Sequence, residues 1–148
     1  MRPVVALLSD FGLHDHYVGV MKGVILGVCR EASLVDITHD VPPQDVLSGA
    51  LELAASRRYF PPGTVFLAVV DPGVGSSRRV IAASACGQRF VAPDNGLLGP
   101  VFDEDASARV VELRERRYAL APMSRAFEGR DRLAPAAAWL ARGVDLAA

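Results

Sequence analysis

Two strand-length apolar runs and a shorter strand-like stretch between them, each giving way to an aspartate, constrain this chain more than any other feature. Val4–Leu8 passes into Ser9–Asp10, Leu34–Ile37 into Thr38–His39–Asp40, and Val65–Val70 into Asp71. The first and third are continuous and rich in β-branched residues, the pattern of strands buried on both faces of a parallel sheet. After the first run, Tyr17, Met21, Val24 and Val28 recur at helical spacing with Val18 and Ile25 beside them, which predicts a helix with one broad apolar face. After the second, Asp45 opens another helix. Val46, Leu47, Ala50, Leu51 and Ala54 form its expected apolar face and Ser48, Glu52 and Ser56 the polar one, with Arg57–Arg58 suiting its C-terminus. Strands alternating with helices predict an α/β domain with a mostly parallel, twisted sheet and helices on both faces.

Later segments extend the same plan. Val80–Ala85 and Arg89–Ala92 read as strands joined around Gly87, and Leu97–Phe102 as a short helix or an extended piece. Arg109–Leu113 and Tyr118–Leu120 are expected to form one more strand pair, and Leu133–Arg142 a closing helix ended by Gly143. Gly19, Gly23 and Gly27 lie four residues apart on the first helix, a smooth strip that reads as a packing device. A length of 148 residues sets one domain as the expectation.

The balance of residues excludes several classes. With 51% hydrophobic and 22% charged residues the chain is neither disordered nor membranous in composition, and its apolar runs are too short to span a bilayer. A net charge of −1, with arginines scattered along the chain, provides no footprint for nucleic acid. No basic region followed by an apolar stretch and a cleavage site opens the chain, so a cytoplasmic location is expected. Cys29 and Cys86 are far apart in apolar contexts, and His14, His16 and His39 have no metal-ligand spacing, so reduced thiols and no metal are expected.

Ligands of an open α/β sheet bind beyond the carboxyl ends of its strands. Three stretches are candidates on that ground: Ser9–Gly12, Asp71–Arg79 and the polar insertion Ser124–Asp131. Each has an ordinary structural explanation when taken alone. Asp10 suits a helix cap, Asp71 an Asx-type bond within a glycine turn, and Glu128 an exposed loop charge. Gly73 and Gly75 lack the third spaced glycine of a dinucleotide fingerprint, and no phosphate loop or nucleophile elbow is present.

Taken together the motifs are more specific. The ordered set LLSDFG…YVGVMKGVIL, VDITHDVPPQD, FPPGTVFLAVVDPGVGSSRR, APDNGLL and FEGRDRLAPAAAWLA resembles the S-adenosylmethionine hydroxide adenosyltransferases, relatives of the 5′-fluorinases and chlorinases. The resemblance implies a Rossmann-like, three-layer N-terminal domain over residues 1–143. Residues 144–148 would begin a linker toward a C-terminal β-barrel-like domain that lies outside this chain. It also implies homotrimers that bind S-adenosylmethionine as substrate between subunits, with no cofactor, no nucleic acid and no membrane.

The implied reaction is attack of water or hydroxide on the ribose C5′ of S-adenosylmethionine, giving adenosine and methionine. By motif, Asp10 matches the carboxylate that holds the ribose hydroxyls, with Phe11 as a wall of the pocket. Asp71 and Arg78 match two of three water-handling residues. The third is histidine in the family's FHGRD, whereas this chain has Glu128 between Phe127 and Gly129. Halogenases carry an aromatic residue in place of Asp71 and a halide-contacting serine in place of Gly129, and an aromatic residue near the nucleotide where this chain has Gln44. The expected function is therefore hydrolysis of S-adenosylmethionine, with Asp71, Arg78 and Glu128 catalytic and Asp10, Phe11, Phe127 and Gly129 binding substrate. The alternatives are a non-catalytic adenosine- or S-adenosylmethionine-binding protein and a 5′-halogenase.

Overall fold

The computed structural model describes residues 2–121 and 127–145. In chain order the elements are β1 (Val4–Ser9), α1 (Tyr17–Val28), β2 (Ser33–Thr38), α2 (Val46–Arg57), β3 (Val65–Val69), β4 (Val80–Ala85), β5 (Gln88–Pro93), α3 (Gly99–Asp103), β6 (Arg109–Glu112) and α4 (Ala134–Ala141). A turn of 3₁₀ helix at Arg116–Tyr118 and a π-helical turn at Gly129–Leu133 precede α4. The six strands form one sheet in the order β2-β1-β3-β5-β4-β6. The pairs β1–β2, β1–β3 and β3–β5 are parallel, while β4 runs antiparallel to both β5 and β6. The expected α/β class with a mostly parallel sheet is what the chain adopts.

Successive side chains of a strand point to opposite faces, and β1 shows how this builds three layers. Val5 and Leu7 pack with Val18, Met21 and Ile25 of α1 and Ala134, Ala137 and Ala138 of α4. Ala6 and Leu8 enter the opposite core with Ala50 and Leu53 of α2 and Val101 of α3. Removing such aliphatic side chains from water stabilises the fold by about 1.5–3 kcal/mol each, which is why β1 is apolar up to Leu8 and β3 throughout. Every residue of β3 is buried.

Two segments depart from the sequence expectation. On α2 the buried residues are Gly49, Ala50 and Leu53, whereas Leu47 and Leu51 are 68% and 56% exposed. The apolar arc of this helix is wide, and its small residues turn inward so that the helix can approach the sheet. Tyr118–Leu120 does not form a strand. Arg116–Tyr118 is 3₁₀, the Tyr118 ring packs on Trp139 with centroids 5.7 Å apart, and the Leu120 N–H donates to the Asp131 carbonyl. Aromatic packing overrides the β-propensity of this stretch.

The strip of Gly19, Gly23 and Gly27 faces outward, and a Cβ added at any of them would meet nothing within 4 Å. It is therefore not a packing seam within the described chain. Both cysteines are free, Cys29 buried and Cys86 half-buried. No helix among the described residues is long and apolar enough to cross a membrane. Residues 124–126 of the polar insertion and 146–148 of the expected linker lie outside the described residues.

Candidate active site

From β1 the chain leaves through α1 on one face of the sheet, and it returns to β3 through α2 on the other. Neighbouring strands whose connections diverge in this way leave a crevice at their carboxyl ends, the switch point of an open α/β sheet. A cleft of about 290 Å³ occupies this position, lined by Asp10, Phe11, Tyr17, Pro43, Gln44, Val69, Asp71, Val74 and Gly129. Its size is near the lower end of small-molecule sites, roughly 300–1,000 Å³. Among the described residues two carboxylates and no basic side chain line it.

The turn after β1 forms one wall. Asp10 follows the buried Ser9, and its Oδ2 accepts the Gln44 N–H at 2.7 Å. Gln44 holds φ at +63°, a conformation that non-glycine residues adopt sparingly, immediately before the N-cap Asp45 of α2. Asp10 does not cap α1, whose N-cap is His16. The Phe11 ring lies 4.5 Å from the Tyr17 ring, which in turn lies 5.7 Å from Phe127. Burial raises the Tyr17 pKa above its ordinary 10.0, opposed by a hydrogen bond and charge from Arg130. Tyr17 is thus a neutral hydroxyl at neutral pH. Gly129 closes this side, because a Cβ there would come within 3.3 Å of the Tyr17 hydroxyl and 3.2 Å of Met21 Sδ.

The loop after β3 forms the other wall. The Val74 N–H donates to the Asp71 carbonyl and the Ser76 N–H to the Gly73 carbonyl, at 3.3 and 2.9 Å. Gly75 takes φ of +81°, which suits glycine alone among common residues without cost. The reversal brings Arg78 back onto Asp71. Arg78 Nε donates to Asp71 Oδ1 at 2.9 Å, and Nη2 donates to Oδ2. The Asp71 carboxylate therefore goes to a bidentate guanidinium, not to an Asx bond within the turn.

Glu128, at the head of the π-helical turn, brings Oε2 to 2.9 Å from the same Nη2, with Arg132 Nη1 at 4.0 Å on another side. The three side chains are nine-tenths buried or more: Arg78 10%, Asp71 5% and Glu128 9% exposed. Burial alone would lower the Arg78 pKa, but the hydrogen bonds it donates to Asp71 and Glu128 outweigh it and hold the guanidinium above its ordinary value. The guanidinium lies between two carboxylates and offsets their mutual repulsion. Arg78 Nη1 is buried with no hydrogen-bond partner among the described residues, a donor with unused capacity. Such groups in a native fold point to a functional site. π-turns concentrate at functional sites as well.

Of the residues expected from sequence, Asp10, Phe11, Asp71 and Gly129 line the cleft. Arg78 and Glu128 join it through Asp71, and Phe127 joins it through Tyr17, remaining 42% exposed. Tyr17 is the lining residue that the sequence reading assigned wholly to the core. Its signal was available: an aromatic residue in the first turn of the helix that follows a candidate strand end. Among the described residues no group of three or more His, Cys, Asp or Glu side chains gathers to hold a metal ion.

Fold and site together define a Rossmann-like α/β domain with an acidic small-molecule cleft at its switch point. The model of the SAM hydroxide adenosyltransferase N-terminal domain matches residues 5–148, and the chain belongs to this family. A relative from Salinispora tropica named (R)-S-adenosyl-L-methionine hydrolase is 44% identical over 146 residues, covering 98% of this chain and 56% of its own length. A relative from Nocardia brasiliensis named fluorinase is more distant, 32% identical over 168 residues, covering 98% of this chain and 56% of its own. The crystal structure of an uncharacterized conserved protein from Thermotoga maritima superposes with a TM-score of 0.94 at 43% identity, covering 97% of this chain and 56% of that one. The chain thus spans about half the length of the relatives it matches.

Proposed function

We propose that the protein hydrolyses S-adenosyl-L-methionine to adenosine and L-methionine, and that this domain supplies the ribose-holding and water-handling side of the site. The observation that carries the reading is the buried Asp71–Arg78–Glu128 cluster at the wall of a cleft lined by two carboxylates. Relatives named for this hydrolysis, at 38–45% identity, support it.

The chemistry suits such a site. Water oxygen attacks the ribose C5′ in line with the C5′–S bond, whose electron pair stays on sulfur. Methionine then departs as a neutral thioether and needs no general acid. The protein has to orient the water and accept one of its protons. Asp71, which lines the cleft, is the group nearest that task. Arg78 fixes the Asp71 carboxylate and contributes a donor through Nη1, and Glu128 contributes a second carboxylate held on Arg78. Asp10 on the facing wall accepts the ribose hydroxyls, and Phe11 with Tyr17 offers an aromatic surface to the nucleoside.

Two features favour water over halide. The Asp10 carboxylate on the cleft wall, whose contact is one main-chain N–H and no cation, favours a cationic sulfonium over an anionic nucleophile. Gly129 offers no hydroxyl to a halide, and Tyr17 and Met21 leave little room for one. The homotrimer that the family resemblance implies and the cytoplasmic location expected from the sequence belong to the same proposal, the homotrimer supported by an outward-facing glycine strip on α1.

Incubation of the full-length protein with S-adenosyl-L-methionine, with adenosine followed by chromatography, tests the reading. Adenosine above the enzyme-free control is the expected result. Binding without turnover, or 5′-chloro-5′-deoxyadenosine formed in chloride, would overturn it.

A further inference from the structure

Beneath the β1 wall of the cleft runs a line of polar side chains that the proposed reaction does not use. Ser9 Oγ lies 2.6 Å from His39 Nδ1, His39 Nε2 lies 2.8 Å from Asp36 Oδ1, and Asp36 Oδ2 accepts from Lys22 Nζ at 2.6 Å. Serine, histidine and aspartate in a row have the composition of a hydrolytic triad. Ser9, however, has no exposed surface, and its oxygen already accepts the Phe11 N–H at 3.3 Å. A serine so enclosed does not reach a substrate, so the line serves another purpose.

Counting donors and acceptors fixes its direction. Phe11 N–H only donates, so Ser9 Oγ accepts there and has one proton left to give. Among the described residues the acceptor in reach of that proton is His39 Nδ1, which takes it in the tautomer that leaves Nδ1 bare. The imidazole proton sits on Nε2 and is donated to Asp36, whose other oxygen takes the Lys22 ammonium. A doubly protonated His39 would leave the Ser9 hydroxyl proton buried without an acceptor among the described residues.

His39 holds the same turn a second time through its main chain, since its carbonyl accepts the Gly12 N–H at 2.8 Å. The Ser9–Gly12 segment is thus tied at both ends to one residue, His39, which is only 3% exposed. Asp10 lies between the two ties, and its own carboxylate has the Gln44 N–H as anchor.

We propose that neutral His39, protonated at Nε2, is a positioning residue: through Ser9 it aims Asp10 into the cleft, and Asp36 with Lys22 selects the tautomer. The inference rests on the reading of Asp10 as the ribose-holding carboxylate.

The test compares His39→Leu, His39→Asn and Ser9→Ala with the wild type, all as full-length protein acting on S-adenosyl-L-methionine. His39→Leu is expected to raise KM by about 10–100-fold, the usual cost of losing a partner that orients a binding group. Unchanged kcat marks the loss as one of binding, not of chemistry. His39→Asn keeps an oxygen near the position of Nδ1 and is expected to recover most of the affinity. Ser9→Ala carries the same test should His39→Leu fail to fold. An unchanged KM in Ser9→Ala or a folded His39→Leu would overturn the proposal. ¹⁵N NMR of the wild type near neutral pH is expected to find Nδ1 bare and Nε2 protonated, and a protonated Nδ1 would equally overturn it. If the wild type releases no adenosine, the reaction reading fails separately. The positioning role is then decided by that tautomer and by amide exchange at Phe11 and Gly12, expected to quicken in Ser9→Ala; exchange that does not change would sink it.

Discussion

Asp10 and Asp71 occupy matching places, each just past a parallel strand and each lining the same cleft, yet they are held differently. β1 and β3 run in register with Ser9 opposite Val69, so the two carboxylates leave neighbouring strand ends. Asp10 receives one main-chain N–H, and the turn around it is held by neutral hydrogen bonds to His39. Asp71 is nearly enclosed and takes a bidentate guanidinium that it shares with Glu128. A carboxylate with unused oxygen capacity suits the hydroxyls of a bound ribose. One clamped by a cation is fixed in place, and that suits a group that must meet a water in line. Under the proposed reaction, that difference assigns binding to one wall and chemistry to the other.

The largest effect is expected where this contrast is sharpest. Arg78→Leu strands two buried carboxylates without their cation, and breaking a buried pair in this way costs about 3–5 kcal/mol. For a chain of this size that lowers Tm by roughly 6–20 °C in a thermal melt. A loss under about 1 kcal/mol would mean that the β3 wall is not held by its ion pairs, and the contrast would collapse.

Next come the two carboxylates themselves, compared through their neutral isosteres. Asp71→Asn should reduce kcat by about 10²–10⁴-fold with KM little changed, as loss of a positioned proton acceptor does. Asp10→Asn should instead raise KM by roughly 10–100-fold, the worth of hydrogen bonds to a charged acceptor. Steady-state kinetics on S-adenosyl-L-methionine separates the two. Equal effects on both parameters in both variants would erase the division between walls.

How far the molecule was legible beforehand follows from which forces act locally. Strand runs such as Val4–Leu8 and Val65–Val70 declared a parallel sheet because burial on both faces demands continuous apolar residues. Asp10 and Asp71 followed from their places after those runs. The inward turn of Gly49 and Ala50 on α2 did not follow, since periodicity gives the width of an apolar arc and not which part of it meets the sheet. Arg78 was placed with Asp71 by family resemblance, and no pattern within the loop requires the pair. His39 read as a histidine without ligand spacing. Its partner Ser9 lies 30 residues away and is brought beside it by the parallel register that sets Leu8 against Thr38. Tyr17 was hidden by its helical spacing, which a core residue and a cleft residue share.

The smallest effect is expected at the outer end of the β1 support, where Lys22 meets Asp36. Both side chains are partly exposed, 30% and 38%, so the pair resembles a surface salt bridge and Lys22→Gln should cost only about 0.2–1 kcal/mol. Asp36 is subject to burial, which raises its pKa, but the hydrogen bonds from Lys22 and His39 prevail and hold it below its ordinary 3.8. A depressed carboxylate contributes stability above its unfolded pKa and loses it as pH falls through the folded value. The acid limb of the stability curve below pH 3.8 should therefore be shallower in Asp36→Asn than in the wild type, by denaturant titration at stepped pH. Salt should weaken the Lys22 contribution and leave the Arg78 cluster largely untouched, because exposed charges are screened and buried ones are not. If instead Lys22→Gln cost as much as Arg78→Leu, the β1 wall would also be held by charge, and the tautomer of His39 would be set by its cation more than by its hydrogen-bond count.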